Sequence, residues 1–162
     1  CFYGNNESNV ALRVGNDGNV TMPSQPAFCV QLTTETDVAI DADTTLTWGT
    51  EKFDQGSNFS STTFTAPVDG KYQFNVYLSI NNLDVDHDYF QVHFITTKVS
   101  FYNVFIADPG VLSGDPTHWG ASGSILAEMD ANDTCIVQVR GVGGAAVTDI
   151  ANDSFFSGFL AC

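Results

Sequence analysis

The sequence predicts an all-β chain folded as a sandwich or barrel, and three observations carry that prediction. No segment keeps apolar residues at the three- and four-residue spacing of an amphipathic helix. The stretches between turn signals are rich in Thr, Val, Phe, Ile and Tyr, side chains that suit a pleated, half-buried surface. Clusters of Gly, Pro, Asn and Asp recur at intervals that leave room for eight or more short strands.

Taken in order, Val10 to Val14 and Asn19 to Met22 flank Gly15-Asn16-Asp17-Gly18 and read as a small hairpin. Pro23-Ser24-Gln25-Pro26 separates it from the rest, so residues 1–25 form an N-terminal β arm and linker and residues 26–162 a single domain. Strands follow at Ala27 to Leu32, Leu46 to Trp48 and Thr62 to Ala66. The clearest passage is FTAPVDGKYQFNV, from Phe64 to Val76. Within Pro67-Val68-Asp69-Gly70 the proline presets its own φ and the glycine accepts a positive one, so the chain reverses. Beyond the turn, Tyr72, Phe74, Val76, Leu78 and Ile80 alternate with Lys71, Gln73, Asn75, Tyr77 and Ser79, the period of two that sends one face into a core. Fully burying each apolar side chain is worth about 1.5–3 kcal/mol. Further strands are expected at Phe90 to Thr97, Val99 to Ile106, Trp119 to Met129, Thr134 to Val142 and Phe155 to Ala161. Gly141-Val142-Gly143-Gly144-Ala145-Ala146 precedes no helix, so it is no phosphate cradle and reads as a flexible loop.

At 162 residues the chain fits one core. Nineteen Asp and Glu against five Lys and Arg give a net charge of −14, which repels phosphate backbones and argues against nucleic acid or anionic membrane as partner. No run of eighteen apolar residues is present, so no membrane insertion is expected. The chain opens on Cys1 rather than Met, as a processed protein or a fragment would. Cys1, Cys29, Cys135 and Cys162 lack the C-x-x-C spacing of zinc or redox sites, and an even count suits disulfides in an oxidising compartment. Three connectivities are open. Cys29 begins the core and Cys162 ends it, which makes them a candidate pair and leaves Cys1 and Cys135 for a second or an intermolecular bridge. Sequons at Asn6, Asn19, Asn58, Asn132 and Asn152 suit a secreted glycoprotein.

Candidate chemistry is sparse. Asp84-Val85-Asp86-His87-Asp88 sets three carboxylates at alternate positions, a spacing that can gather oxygen ligands for calcium, although an EF-hand beginning at Asp84 would need Gly and Glu where Tyr89 and Ile95 stand. His87, His93 and His118 form no metal-ligand pair, and His93 reads as a satisfied sheet residue. No nucleophile elbow, Walker loop or paired acid is present, so the chain reads as non-enzymatic. Trp48, Phe53, Phe59, Tyr102 and Trp119 are buried structural aromatics or a surface suited to a sugar or protein partner.

Three ordered pieces carry a family resemblance. Phe64-Thr65-Ala66-Pro67-Val68-Asp69-Gly70-Lys71-Tyr72-Gln73-Phe74, then Ser122-Gly123-Ser124-Ile125-Leu126 with Val137-Gln138-Val139, then Phe155-Phe156-Ser157-Gly158-Phe159-Leu160 resemble the globular head of the complement C1q and tumour necrosis factor superfamily. The resemblance covers Pro26 to Cys162. One departure is Asn132, where the family has Gly at a turn, and Asn tolerates the positive φ required. The resemblance implies a jelly-roll sandwich of about ten antiparallel strands, assembled as a homotrimer and used for binding rather than catalysis. It implies Tyr77, Phe156 and Phe159 as candidates for the contact between copies, and calcium in apical loops as a candidate cofactor. Asn16 to Phe28 also looks like the passage into such heads at phage or viral tail-fibre tips. The expected role is therefore a self-assembling, adhesive module of an extracellular, secreted or virion-surface fibre, with a cell-surface glycan or protein as ligand. The alternatives are a repeating filament subunit joined by strand donation from the arm, and a soluble recognition protein of the same family.

Overall fold

A computed structural model describes residues 2–3, 10–34, 36–99 and 102–162. The arm is a small antiparallel sheet of β1 (Phe2–Tyr3), β2 (Val10–Val14) and β3 (Val20–Thr21), in that order. The head begins with β4 (Ala27–Gln31), β5 (Thr36–Val38), β6 (Thr44–Thr45), β7 (Thr50–Gln55), β8 (Phe59–Ser60) and β9 (Thr63–Thr65). The long strands follow: β10 (Gly70–Asn81), β11 (His87–Thr96) and β12 (Tyr102–Ala107). A 3-10 turn at Pro109–Val111 leads to β13 (Trp119–Met129), β14 (Thr134–Gly143), β15 (Thr148–Ile150) and β16 (Phe155–Leu160).

Two antiparallel sheets form the jelly roll. In the first, β10 pairs with β13 on one side and with β16 and β15 on the other, followed by β4 beside β16, β5 beside β15, and β7 at the far edge. In the second, β12, β11 and β14 lie side by side, β14 then takes β9 and β6, and β8 closes the edge. Among the described residues no helix is long and apolar enough to cross a membrane.

The alternation in β10 does what its period dictates: Tyr72, Phe74, Leu78 and Ile80 are wholly buried and Val76 nearly so, while the residues between them face outward. Their inward side chains meet Phe28, Phe64, Phe94 and Phe156, with ring centroids 4.9 Å apart for Phe28 and Phe156 and 5.5 Å for Phe64 and Phe74. These offset and edge-on contacts add to the area the rings remove from water. The Tyr72 hydroxyl keeps its hydrogen bond by donating to the Val68 carbonyl at 2.8 Å, which ties the turn to the strand it launches.

Gly70 departs from expectation. It does not occupy the positive-φ region; its lack of a side chain is what counts, since a Cβ there would lie 2.5 Å from Leu160 Cδ1 and 2.8 Å from the Cys162 carbonyl oxygen. Asn132 does adopt a positive φ, 75°, in the turn between β13 and β14. Its neighbours hold it there: Asn132 N–H donates to the Ala66 carbonyl and Ala131 N–H to the Asp69 carboxylate.

Several strands lie elsewhere than expected. Leu46 to Trp48 is not a strand but a plug whose Leu46 and Trp48 side chains enter the core, after the short β6. Strands β5, β7 and β15 were not expected at all. β7 carries Glu51, Lys52 and Asp54 on an exposed sheet edge, where charge guards against edge pairing and erases the apolar alternation. The stretch expected as a flexible loop continues β14 to Gly143, and the turn after it is tethered, because Ala145 and Ala146 N–H both donate to the Asp84 carboxylate.

Candidate self-association face

The outer face of the first sheet is built in rungs by the registers of five strands. One rung runs Ser122, Tyr77, Phe155, Gln31, Thr50 across β13, β10, β16, β4 and β7. The next runs Ser124, Asn75, Ser157, Cys29, Phe53, and the third Leu126, Gln73, Phe159, Ala27, Gln55. None of these fifteen positions is charged, in a chain with nineteen acidic residues. Large apolar groups stand on the face: Phe155 is 40% exposed, Phe159 45%, Phe53 53% and Leu126 55%. Tyr77, half-buried, stacks on Phe155 with centroids 5.7 Å apart. Lys52 stands close enough to Cys29 to oppose the rise that burial imposes on its thiol pKa.

The outer face of the second sheet differs. It carries Arg140, paired with Asp43 at 3.5 Å, beside His93, which is 2% exposed and joined through Nε2 to Gln91 Oε1. Burial holds the His93 imidazole below its ordinary pKa, with Asp43 pulling the other way.

Tyr77 and Phe159 lie on the uncharged face, but Phe156 does not. It is wholly buried, with Phe28 at 4.9 Å and Trp48 at 5.7 Å, and is a core residue rather than a contact between copies. Residues 156 and 159 are an odd number apart, so a strand sends them to opposite faces. The same alternation would have selected Phe155 with Phe159. Phe53 and Leu126 carried no such local signal, because their place depends on which strands flank β10 and β4.

The candidate calcium ligands do not converge. Asp84 is 3% exposed and turns inward, accepting from the amides of Asp86, Ala145 and Ala146 at 2.8–2.9 Å. Burial pulls its pKa up, but these amides, with a smaller contribution from His87, outweigh it and hold the carboxyl below its ordinary range. His87 donates from Nδ1 to the Gly143 carbonyl at 2.7 Å, and its Nε2 is hydrogen-bonded to Thr148 Oγ at 3.1 Å. Asp86 and Asp88 remain exposed, and among the described residues no three His, Cys, Asp or Glu side chains gather as a metal would require. This end of the sandwich is a buried structural knot.

Cys29, Cys135 and Cys162 are free thiols, and Cys1 lies outside the described residues. The Cys29–Cys162 bridge is absent for a reason of register: Cys29 lies opposite Ser157, which places Cys162 about 16 Å further along the strand direction. Cys135 is wholly buried in β14, where burial drives its thiol pKa far up, so it is not placed to bridge to another chain. Asn19, Asn132 and Asn152 are exposed and Asn58 half-buried, whereas Asn6 lies outside the described residues. Of the aromatics, Trp48 is buried, Phe59, Tyr102 and Trp119 pack partly against the core, and Phe53 is exposed.

Comparison with known proteins places this geometry. The family described as C1q domain matches residues 27–161. Among solved structures, the globular domain of zebrafish complement 1qA protein aligns with a TM-score of 0.63 at 17% identity, covering 85% of this chain and 98% of that one. Murine APRIL aligns at 0.60 in its pH 8.0 crystal structure and 0.59 in its pH 8.5 structure, each at 9% identity, covering 84% of this chain and 98% of that one. No curated protein matches the sequence.

Proposed function

Because this chain belongs to the C1q domain family through residues 27–161, we propose that it is a non-enzymatic, self-assembling and adhesive module of an extracellular or virion fibre, its copies joined through the uncharged face of the first sheet. One observation carries the reading. A chain of net charge −14 repels its own copies, and the cheapest place for them to meet is the middle of this face, whose three central rungs bear no charge and leave Phe53, Leu126, Phe155 and Phe159 partly open to water, with the charged pair Lys71 and Glu128 only at its end. Closed association about a threefold axis would cover that face on every copy and stop at three. Ligand attachment then falls to the loops and edges left outside the contact, with a cell-surface glycan or protein as the partner.

Native mass spectrometry tests the assembly. The expected species is a trimer of the 17.4 kDa chain, and Phe159→Asp, a change at an exposed position, should convert it to monomer without unfolding it. A full chain that stays monomeric ends the reading; a trimer indifferent to Phe159→Asp moves the contact to another face. A filament joined by strand donation is favoured by one feature, the arm sheet β1–β2–β3, which among the described residues pairs with no strand of the head. Unlimited assemblies that vanish when residues 1–22 are deleted would select it.

A further inference from the structure

The two sheets part along one side of the sandwich, where β7 ends the first sheet and β8 ends the second. Trp48 closes this gap: its backbone N–H donates to the Ser61 carbonyl at 2.8 Å, and its ring lies 5.7 Å from Phe156. Outside it lies a cleft of about 430 Å³ lined by Trp48 and Phe59 together with Glu51, Ser60 and Ser61. That volume falls within the usual range of small-molecule sites.

One atom shielded behind this wall is unsatisfied. Trp48 is 3% exposed, yet its indole Nε1–H reaches no acceptor, one of two such buried side-chain nitrogens among the described residues. Buried indole N–H groups are normally paired, and an unmet one calls for an oxygen that the chain does not provide. The rest of the lining narrows what brings that oxygen. Glu51 accepts and cannot donate when ionised, so its partner must carry donor hydrogens, which the hydroxyls of a neutral ligand supply. The same carboxylate, in a chain of net charge −14, disfavours phosphate, sulfate and carboxylate ligands. Half-buried Phe59 offers an apolar ring to a C–H surface, and the serine hydroxyls give and accept.

From these features we propose that the cleft between β7 and β8 is a saccharide-binding site, in which a neutral sugar ring packs near Phe59, a ring or hydroxyl oxygen accepts from the Trp48 indole, and hydroxyls donate to Glu51. Because the indole nitrogen is itself shielded, this contact requires the 46–49 segment, held by Trp48 N–H to the Ser61 carbonyl and Leu46 N–H to the Val137 carbonyl, to open slightly on binding. The site supplies a ligand class for the attachment reading and rests on that reading for its use, but binding itself does not require assembly. Two sources of sugar fit the chemistry: a glycan on another molecule, or one carried on Asn58, whose sequon Asn58-Phe59-Ser60 contributes two residues to the wall.

The experiment uses full-length, ¹⁵N-labelled protein made without glycosylation, carrying Trp119→Phe so that the remaining indole signal is that of Trp48. Methyl mannoside, methyl galactoside, methyl glucoside and N-acetylglucosamine are titrated separately to several times a millimolar dissociation constant, with glycerol as the polyol control. The expected result is a saturable shift of the indole resonance by at least one sugar and not by glycerol, weakened about tenfold or more by Glu51→Gln. The same sugar should not bind Trp48→Phe, whose fold is checked by its backbone spectrum. Glycosylated protein that has lost this response while Asn58→Gln protein keeps it would assign the site to the chain's own glycan. No saturable shift with any of the four sugars, an equal shift with glycerol, or indifference to Glu51→Gln overturns the proposal, whether or not the protein is trimeric.

Discussion

At the scale of single residues, the buried carboxylate of Asp84 shows how far a side chain's role depends on what the fold brings to it. Three backbone amides reach it, two of them from residues 61 and 62 positions further along the chain. Those donors favour the ionised form, so its folded pKa lies below the 3.8 of an unperturbed aspartate. A depressed carboxyl contributes stability that is complete above the unfolded value and is lost as pH falls through the folded one. Urea unfolding midpoints should therefore hold from pH 7 to 5 as far as this group is concerned and fall below about pH 4. Asp84→Asn should cost about 1–3 kcal/mol at pH 7, since an amide cannot replace both accepting oxygens, and should flatten the acid limb. An unchanged acid limb in the variant would mean that other carboxylates govern acid unfolding.

At the scale of elements, β16 shows why a short closing strand can be indispensable. It lies between β10 and β4, and Gly158 at its centre faces inward beneath the rings of Phe74 and Phe28. A Cβ at that position would come within 2.6 Å of Phe74 Cδ1 and 2.8 Å of Phe28 Cε1, so the rings can pack on this strand only because the side chain is missing. Gly158→Ala should overpack the core and lower stability by about 1–3 kcal/mol, read as a drop in the thermal midpoint with the strand content of the circular dichroism spectrum kept. A neutral effect would show that the aromatic cluster has room to move. Besides the two-residue β1, β6 and β8, the elements that escaped sequence reading are β5, β7 and β15, of three, six and three residues, and none of these three has an apolar alternation to announce it. Their pairing partners stabilise them, and those partners are far away in sequence: β5 lies on β15, and β7 on β4.

Across the whole molecule, the dominant facts are a net charge of −14 and a broad face whose three central rungs carry no charge. Copies that meet there are opposed by long-range repulsion and gain from burying aromatic surface. Added salt screens the first and leaves the second, so raising ionic strength from about 0.02 to 0.5 M should tighten self-association, measured as a lower dissociation constant by sedimentation. Weakening by salt would instead mean that opposite charges cross the contact, which the three central rungs do not provide and only Lys71 and Glu128 at the end of the face could.

What the amino-acid order determined by itself is what repeats locally. The period of two in β10, the Pro-Val-Asp-Gly turn and the spacing of turns were enough for an all-β sandwich or barrel, and the resemblance carried by the ordered motifs through the closing strand narrowed it to a jelly roll and to its family. The charge balance was equally open to inspection. Only the tertiary structure decided which strands share an edge, and with it the surroundings of several candidate residues: Asp84 turned to backbone amides, Cys29 and Cys162 were kept apart by register, Phe156 went to the core, and Trp48 was set as a plug between the sheets. The reason is physical. Alternation tells a side chain which face it takes, whereas what it meets on that face is supplied by segments dozens of residues away, brought there by the closure of the two sheets over a common core.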